Sequence, residues 1–123
     1  MSASTSPLVT ETTDAALLPL LEVIQIFRTW DREVPAQVVV TFLYIASHDG
    51  CHKQVLEADL EFGTATCSRN VAWLSDEHRL NKPGLGLIWR VKDVNNQRRI
   101  RCFLTPKGKE VAARIKSILY PTD

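Results

Sequence analysis

Between residues 64 and 70 the chain reads Thr64-Ala65-Thr66-Cys67-Ser68-Arg69-Asn70. Thr64, Thr66 and Ser68 carry short hydroxyls suited to phosphate oxygens. Arg69 has a fork of N–H donors that matches the two acceptors of a guanine, and Asn70 can pair bidentately with an adenine. A second group, Arg90, Lys92, Arg98, Arg99 and Arg101, places five cations close together further along the chain. A cationic finger of this kind can enter a minor groove or run beside phosphates. The chemistry on offer is recognition of a nucleic acid, not bond making. The plain alternative is a solvated charged helix beside an edge hairpin protected by its charge.

Other chemistry finds little footing. There is no Gly-rich phosphate loop, no Cys-x-x-Cys pair and no Ser-His-Asp signature. His48, Cys51 and His52 are close in sequence, but three ligands in one turn lack a fourth. Cys67 falls near a helix start, where the dipole lowers a thiol pKa. Its inward position at helical spacing makes it a small buried hydrophobe instead. No catalytic residue, cofactor or metal is expected.

The elements that must position these residues follow from apolar spacing. A helix is predicted over 18–30, with Leu17, Leu20, Leu21, Ile24 and Phe27 on one face. Pro35 opens a second over 36–47, apolar nearly all round and therefore central and buried. Asp49-Gly50 ends it. A short extended piece is predicted at 52–55 and a short helix at 56–62. A turn at Gly63-Thr64 leads to a helix from 65 or 66 to 78. On that helix Cys67, Val71, Leu74 and His78 face inward, while Thr66, Arg69, Asn70, Trp73 and Glu77 face outward. Two short helices joined by a tight turn containing Gly make a helix-turn-helix.

A loop at 79–85 precedes two strands, 87–94 and 99–104, joined by Asn95-Asn96-Gln97, which favours a turn. Thr105 caps a last helix to about 119, with Pro106 at its first position and Val111, Ile115 and Ile118 on one face. The fold class is mainly α with a small β-hairpin wing, an α+β winged helix-turn-helix. It occupies residues 15–120, after a Ser- and Thr-rich tail at 1–14 that is expected to be disordered.

The chain's 123 residues suffice for one core. The net charge of +1 hides an asymmetry. Residues 1–62 carry nine acidic side chains against three basic ones, whereas 86–116 carry nine basic ones against Asp93 and Glu110. Such a split points to a polyanion-facing surface in the second half. No apolar run approaches a membrane span, and the start does not read as a signal peptide, so a cytoplasmic protein is expected. Three cysteines, an odd number, agree with a reducing compartment.

Leu104-Thr105-Pro106-Lys107-Gly108-Lys109-Glu110 resembles the element that follows the wing in MarR-type winged-helix regulators. Cys67-Ser68-Arg69-Asn70-Val71-Ala72-Trp73-Leu74 is similar to that family's recognition-helix core. Gly86-Leu87-Ile88-Trp89-Arg90 is similar to its approach to the wing. Together the matches cover about residues 35–116. The resemblance implies that Ser68, Arg69 and Asn70 contact double-stranded DNA, with Arg98 and Arg99 in the wing. It also implies a homodimer through the first and last helices. Leu17, Leu20, Leu21, Ile24, Phe27, Ile115, Ile118 and Leu119 supply the apolar faces. No small-molecule effector is indicated by the residues. Two other readings use the same fold: a protein-binding adaptor, which Trp73 and Trp89 would suit, and a phage or plasmid DNA-processing accessory factor.

Overall fold

The structure, a computed structural model, describes residues 13–76, 83–96 and 98–122. Most of the expected tail, Glu77, His78, much of the 79–85 loop and Gln97 lie outside the described residues. Near the start, Asp14 Oδ1 accepts from the Ala16 amide at 3.0 Å and caps a 3-10 turn, Ala15–Leu17.

The elements then run α1 (Leu18–Trp30), α2 (Ala36–Ser47), β1 (Cys51–His52), α3 (Lys53–Leu60), α4 (Thr64–Leu74), β2 (Ile88–Lys92), β3 (Ile100–Leu104) and α5 (Pro106–Leu119). Pro19 sits in the first turn of α1 and Pro106 in that of α5, where a missing N–H costs nothing. The sheet has three strands, ordered β1-β3-β2, all antiparallel. The winged helix-turn-helix is therefore present, with β1 added to the hairpin as a third strand.

Several boundaries differ from the sequence expectation. The extended piece is Cys51–His52, because these two residues pair with Cys102 and Arg101. Helix α3 starts at Lys53 instead of 56, with a Lys53–Glu57 ion pair across its first turn. The turn expected at Gly63-Thr64 begins earlier, with Glu61 left-handed (φ 55°) and Gly63 extended at the α4 N-cap. Helix α4 ends at Leu74 instead of 78, where the chain at 84–87 takes over its free carbonyls.

Phe27 lies at the centre of the core. Its ring meets Trp30 edge-on at 5.7 Å and Phe42 at 5.6 Å. Val23 and Ile26 of α1, Val38, Val39 and Ile45 of α2, Leu56, Cys67, Val71, Leu74, Leu87, Ile88, Cys102, Leu104, Val111 and Ile115 complete it. The inward face of α1 is thus Val23, Ile26 and Phe27, while Leu17, Leu20, Leu21 and Ile24 are exposed. Helix α2 is not buried all round either, since Val40 and Leu43 reach solvent.

Gly108 shows why the segment after β3 has its composition. A Cβ on Gly108 would lie 2.1 Å from the Leu87 carbonyl oxygen, so only glycine lets α5 approach the strand this closely. Thr105 Oγ1 accepts from the Gly108 amide at 3.0 Å and donates to the Gly86 carbonyl at 2.7 Å. Lys107 Nζ donates to the Leu85 carbonyl at 2.8 Å and lies over the Trp30 ring. This segment fastens α5 to the chain entering β2.

Candidate nucleic-acid interface

Helix α4 presents Thr64, Ser68 and Arg69 to solvent, with Thr66 half-buried. Thr66 Oγ1 accepts a hydrogen bond from Arg69 Nη2 at 3.1 Å. That single contact steadies the guanidinium and leaves most of its donors available. Thr64 Oγ1 donates to Glu57 Oε1 at 3.4 Å, linking the two helices of the motif.

Asn70 departs from the expectation. It is 5% exposed, and its Nδ2 donates to Thr41 Oγ1 of α2 at 3.4 Å. It follows Arg69 by one residue, a step of about 100° around the helix, and that step carries it from the rim into the core. Asn70 thus packs against α2, whereas the sequence reading expected it to face outward beside Arg69. Trp73 is likewise half-buried against the core, not exposed.

The carbonyls of Trp73, Leu74, Ser75 and Asp76 accept from the amides of Leu85, Leu87, Gly86 and Gly84 at 2.8–3.1 Å. These bonds satisfy the free end of α4. They also tie the helix carrying Arg69 directly to the chain that enters the wing, so helix and hairpin are held at one relative position.

In the wing the register is Lys92 opposite Ile100, Val91 opposite Arg101, and Arg90 opposite Cys102. Side chains alternate across a pleated sheet. Arg90 and Lys92 therefore share the face of Ile88 and Cys102, whereas Arg99 and Arg101 share the opposite face with Trp89, Val91 and Phe103. The five cations do not form one uniform face. Arg98, beside the turn, is exposed. Arg99 is half-buried, and its Nε is buried without a hydrogen-bond partner. Arg101 folds back: its Nε donates to the Gly50 carbonyl at 2.8 Å and its guanidinium lies 5.5 Å from the Phe103 ring centre. The hairpin turn is built by Asx contacts, Asn95 N to Asp93 Oδ1 at 3.0 Å and Arg98 N to Asn96 Oδ1 at 3.1 Å.

One contact was not anticipated. His52 Nε2 donates to Asp93 Oδ2 at 2.6 Å, pinning β1 to the base of the wing turn. This bond holds the Asp93 carboxyl below its ordinary pKa, aided by the Asn95 amide. Only the pairing of β1 with β3 brings the two together, and a two-residue strand leaves no periodicity to read.

The His48, Cys51 and His52 trio disperses. His48 stacks on Tyr44 at 4.2 Å, His52 holds Asp93, and Cys51 lies in the sheet. Among the described residues no group of three His, Cys, Asp or Glu could hold a metal. Burial pushes the Cys67 thiol up to about 11, as a core hydrophobe should behave. Among the described residues, no helix is long and apolar enough to cross a membrane.

Of the expected subunit-interface residues, Leu17, Leu20, Leu21 and Ile24 are exposed, and Leu17 reaches 63%. Phe27 and Ile115 are not available, being buried in the chain's own core, while Ile118 and Leu119 are half-buried against it. Beside Ile24, a groove of about 430 Å³ runs between α1 and α2, lined by Arg28, Val34, Val39, Val40 and Leu43 among others.

No protein-family model matches the chain, and no curated protein does. Solved structures do. A MepR variant from a multidrug-resistant S. aureus clinical isolate aligns with a TM-score of 0.63 at 21% identity, over 89% of this chain and 77% of that one. A MarR transcriptional regulator from Methanosarcina mazei Go1 aligns with a TM-score of 0.60 at 22% identity, over 84% of this chain. The alignment spans 65% of that regulator's length. FabT from Streptococcus pneumoniae, solved in complex with DNA, aligns with a TM-score of 0.59 at 15% identity, over 86% of this chain and 74% of that one. The fold is that of MarR-type winged-helix regulators.

Proposed function

We propose that this chain binds double-stranded DNA as a sequence-specific, dimeric transcriptional regulator and has no enzymatic role. Helix α4 enters the major groove with Ser68 and Arg69 foremost, and the wing lies on the minor groove or the phosphates through Arg98, with Arg90 and Lys92 behind it. The carrying observation is the exposed Ser68-Arg69 pair on a helix tied by backbone hydrogen bonds to a basic hairpin. The fold shared with a DNA-bound regulator supports the reading. Two copies joined through α1 would present two such helices about one DNA turn apart.

Selection of bound fragments from a random DNA pool tests this, followed by affinity measured against salt. A near-palindromic motif, with binding that falls steeply as salt rises, is the expected result. Trp89, 54% exposed, and Val91 beside it favour a second reading, a protein-binding adaptor. No enriched motif and no DNA affinity even at low salt would favour that reading.

A further inference from the structure

Two of the three cysteines face each other across the sheet. Cys51 on β1 is the direct cross-strand partner of Cys102 on β3. Opposed residues of an antiparallel pair have Cα atoms about 4.5–5.5 Å apart, inside the span of about 4.4–6.8 Å that a disulfide bridges. Both thiols are free. Cys51 is partly exposed, while Cys102 is fully buried. The Cys102 thiol beside it holds Cys51 below the ordinary thiol range, with its backbone and Arg101 acting in the same direction against burial and Asp49. The Cys51 sulfur, together with burial, pushes Cys102 up. One sulfur is partly accessible, and the other lies opposite it on the neighbouring strand as a buried thiol. A peroxide-reactive cysteine with a resolving neighbour has these properties.

We propose that Cys51 and Cys102 form a redox-active dithiol in which Cys51 takes up a hydroperoxide and Cys102 closes a cross-strand disulfide. The Cys51 thiolate attacks the terminal peroxide oxygen. An S–O bond forms as the O–O bond breaks, and the alcohol, or water from hydrogen peroxide, leaves with the proton that Cys51 had released. The Cys102 sulfur then attacks the sulfenic sulfur. An S–S bond forms, the S–O bond breaks, and hydroxide leaves as water with the Cys102 proton. The two sulfurs together lose two electrons and the peroxide gains them. The product joins the strand leading into α3 covalently to the central strand of the wing, at one of the two residue pairs of the β1–β3 ladder.

The test uses the whole chain, reduced, freed of reductant and treated with hydrogen peroxide. The expected product is lighter by about 2 Da, two hydrogens, and reverts with dithiothreitol. Trypsin releases the cysteines on separate peptides, 33–53, 54–69 and 102–107, so the linkage is read directly. Peptide 33–53 should be joined to 102–107, and Cys67→Ala should leave that link intact. Cys102→Ala, an apolar replacement at a buried position, should halt the reaction at a Cys51 sulfenic acid that dimedone captures. Four results would overturn the assignment: a bond through Cys67; a bond between two chains; a Cys51 adduct in the unaltered protein without the linked peptide; or no reaction at a peroxide dose that oxidises the same chain in urea.

Discussion

Asn70 Nδ2 of α4 donates to Thr41 Oγ1 of α2 at 3.4 Å, and the Thr41 hydroxyl in turn donates to the Gln37 carbonyl at 2.7 Å. Both side chains are buried. The chain Asn70–Thr41–Gln37 is a polar seam between the helix that carries Arg69 and the central helix of the core. Buried polar groups need partners, and this seam satisfies them. With the buried Cys67, Val71 and Leu74 it marks the inward side of α4, one step around the helix from the exposed Arg69.

Asn70→Ala should therefore destabilise the fold by about 1–2 kcal/mol through the lost hydrogen bond and the void left behind. Urea unfolding measures this. DNA affinity of the folded protein should be unchanged. A loss of base preference with stability intact would return Asn70 to the interface.

Arg69→Ala should behave in the opposite way. Its side chain is exposed and its hydrogen bond to Thr66 lies within one helical turn, so stability should change by no more than about 0.5 kcal/mol. Affinity for the selected site should fall by about 1–3 kcal/mol and base preference should relax at one position. Arg98→Ala should instead weaken binding to every sequence and reduce the salt slope by about 1. Fluorescence anisotropy on specific and scrambled duplexes at several salt concentrations distinguishes the two patterns.

Gly108→Ala should be among the most damaging single changes. The new methyl would meet the Leu87 carbonyl oxygen at 2.1 Å, a backbone atom that cannot move without shifting β2. Overpacking of this kind costs about 1–3 kcal/mol or more. Thr105→Ala removes the α5 cap and should cost about 1 kcal/mol. Thermal unfolding should rank Gly108→Ala below Thr105→Ala, and the reverse order would refute the close approach.

The His52–Asp93 contact makes part of the stability depend on pH. The folded protein holds the Asp93 pKa below its ordinary value, chiefly through the bond from His52. Its contribution is present above the unfolded carboxylate pKa of about 4 and is lost as pH falls through the depressed folded value. Asp93→Asn should lower the urea midpoint at pH 6, and the gap to the unaltered protein should narrow as pH drops below 4. A gap that stays constant with pH would mean that the ionised carboxylate adds nothing.

Much of this was legible from residues alone. Helices α1, α2 and α5 follow apolar spacing bounded by Pro19, Pro35, Thr105 and Pro106, local signals that tertiary packing did not override. The inward set Cys67, Val71 and Leu74 was readable for the same reason. Asn70 was not, because a polar side chain at the margin of an apolar stripe turns either way, and the partner that decides, Thr41, lies 29 residues earlier. The divided wing was hidden too. Which of Arg90, Lys92, Arg99 and Arg101 share a face depends on strand register, and register is set by pairing partners, not by composition. Strand β1 left no pattern, so the opposed Cys51 and Cys102 and the His52–Asp93 bond were invisible.

Leu17, Leu20, Leu21 and Ile24 recur along one side of the start of α1 and all are exposed. They are not among the chain's buried core residues, whose α1 members are Val23, Ile26 and Phe27. Exposed Val40 and Leu43 of α2 line the groove beside Ile24 and widen the apolar surface. A contiguous apolar surface is the common mark of a binding face, and on this reading a second copy covers it. Leu20→Glu combined with Ile24→Glu would place two like charges at the centre of that contact, where neither could be desolvated. The double variant should sediment as a monomer while its thermal stability barely changes, because both positions face solvent in the single chain. Phe27→Glu, by contrast, should unfold the protein, since Phe27 packs between Trp30 and Phe42. Sedimentation velocity across a concentration series decides the matter. If the unaltered chain is already monomeric at every concentration, or the double variant remains dimeric, α1 is not the contact.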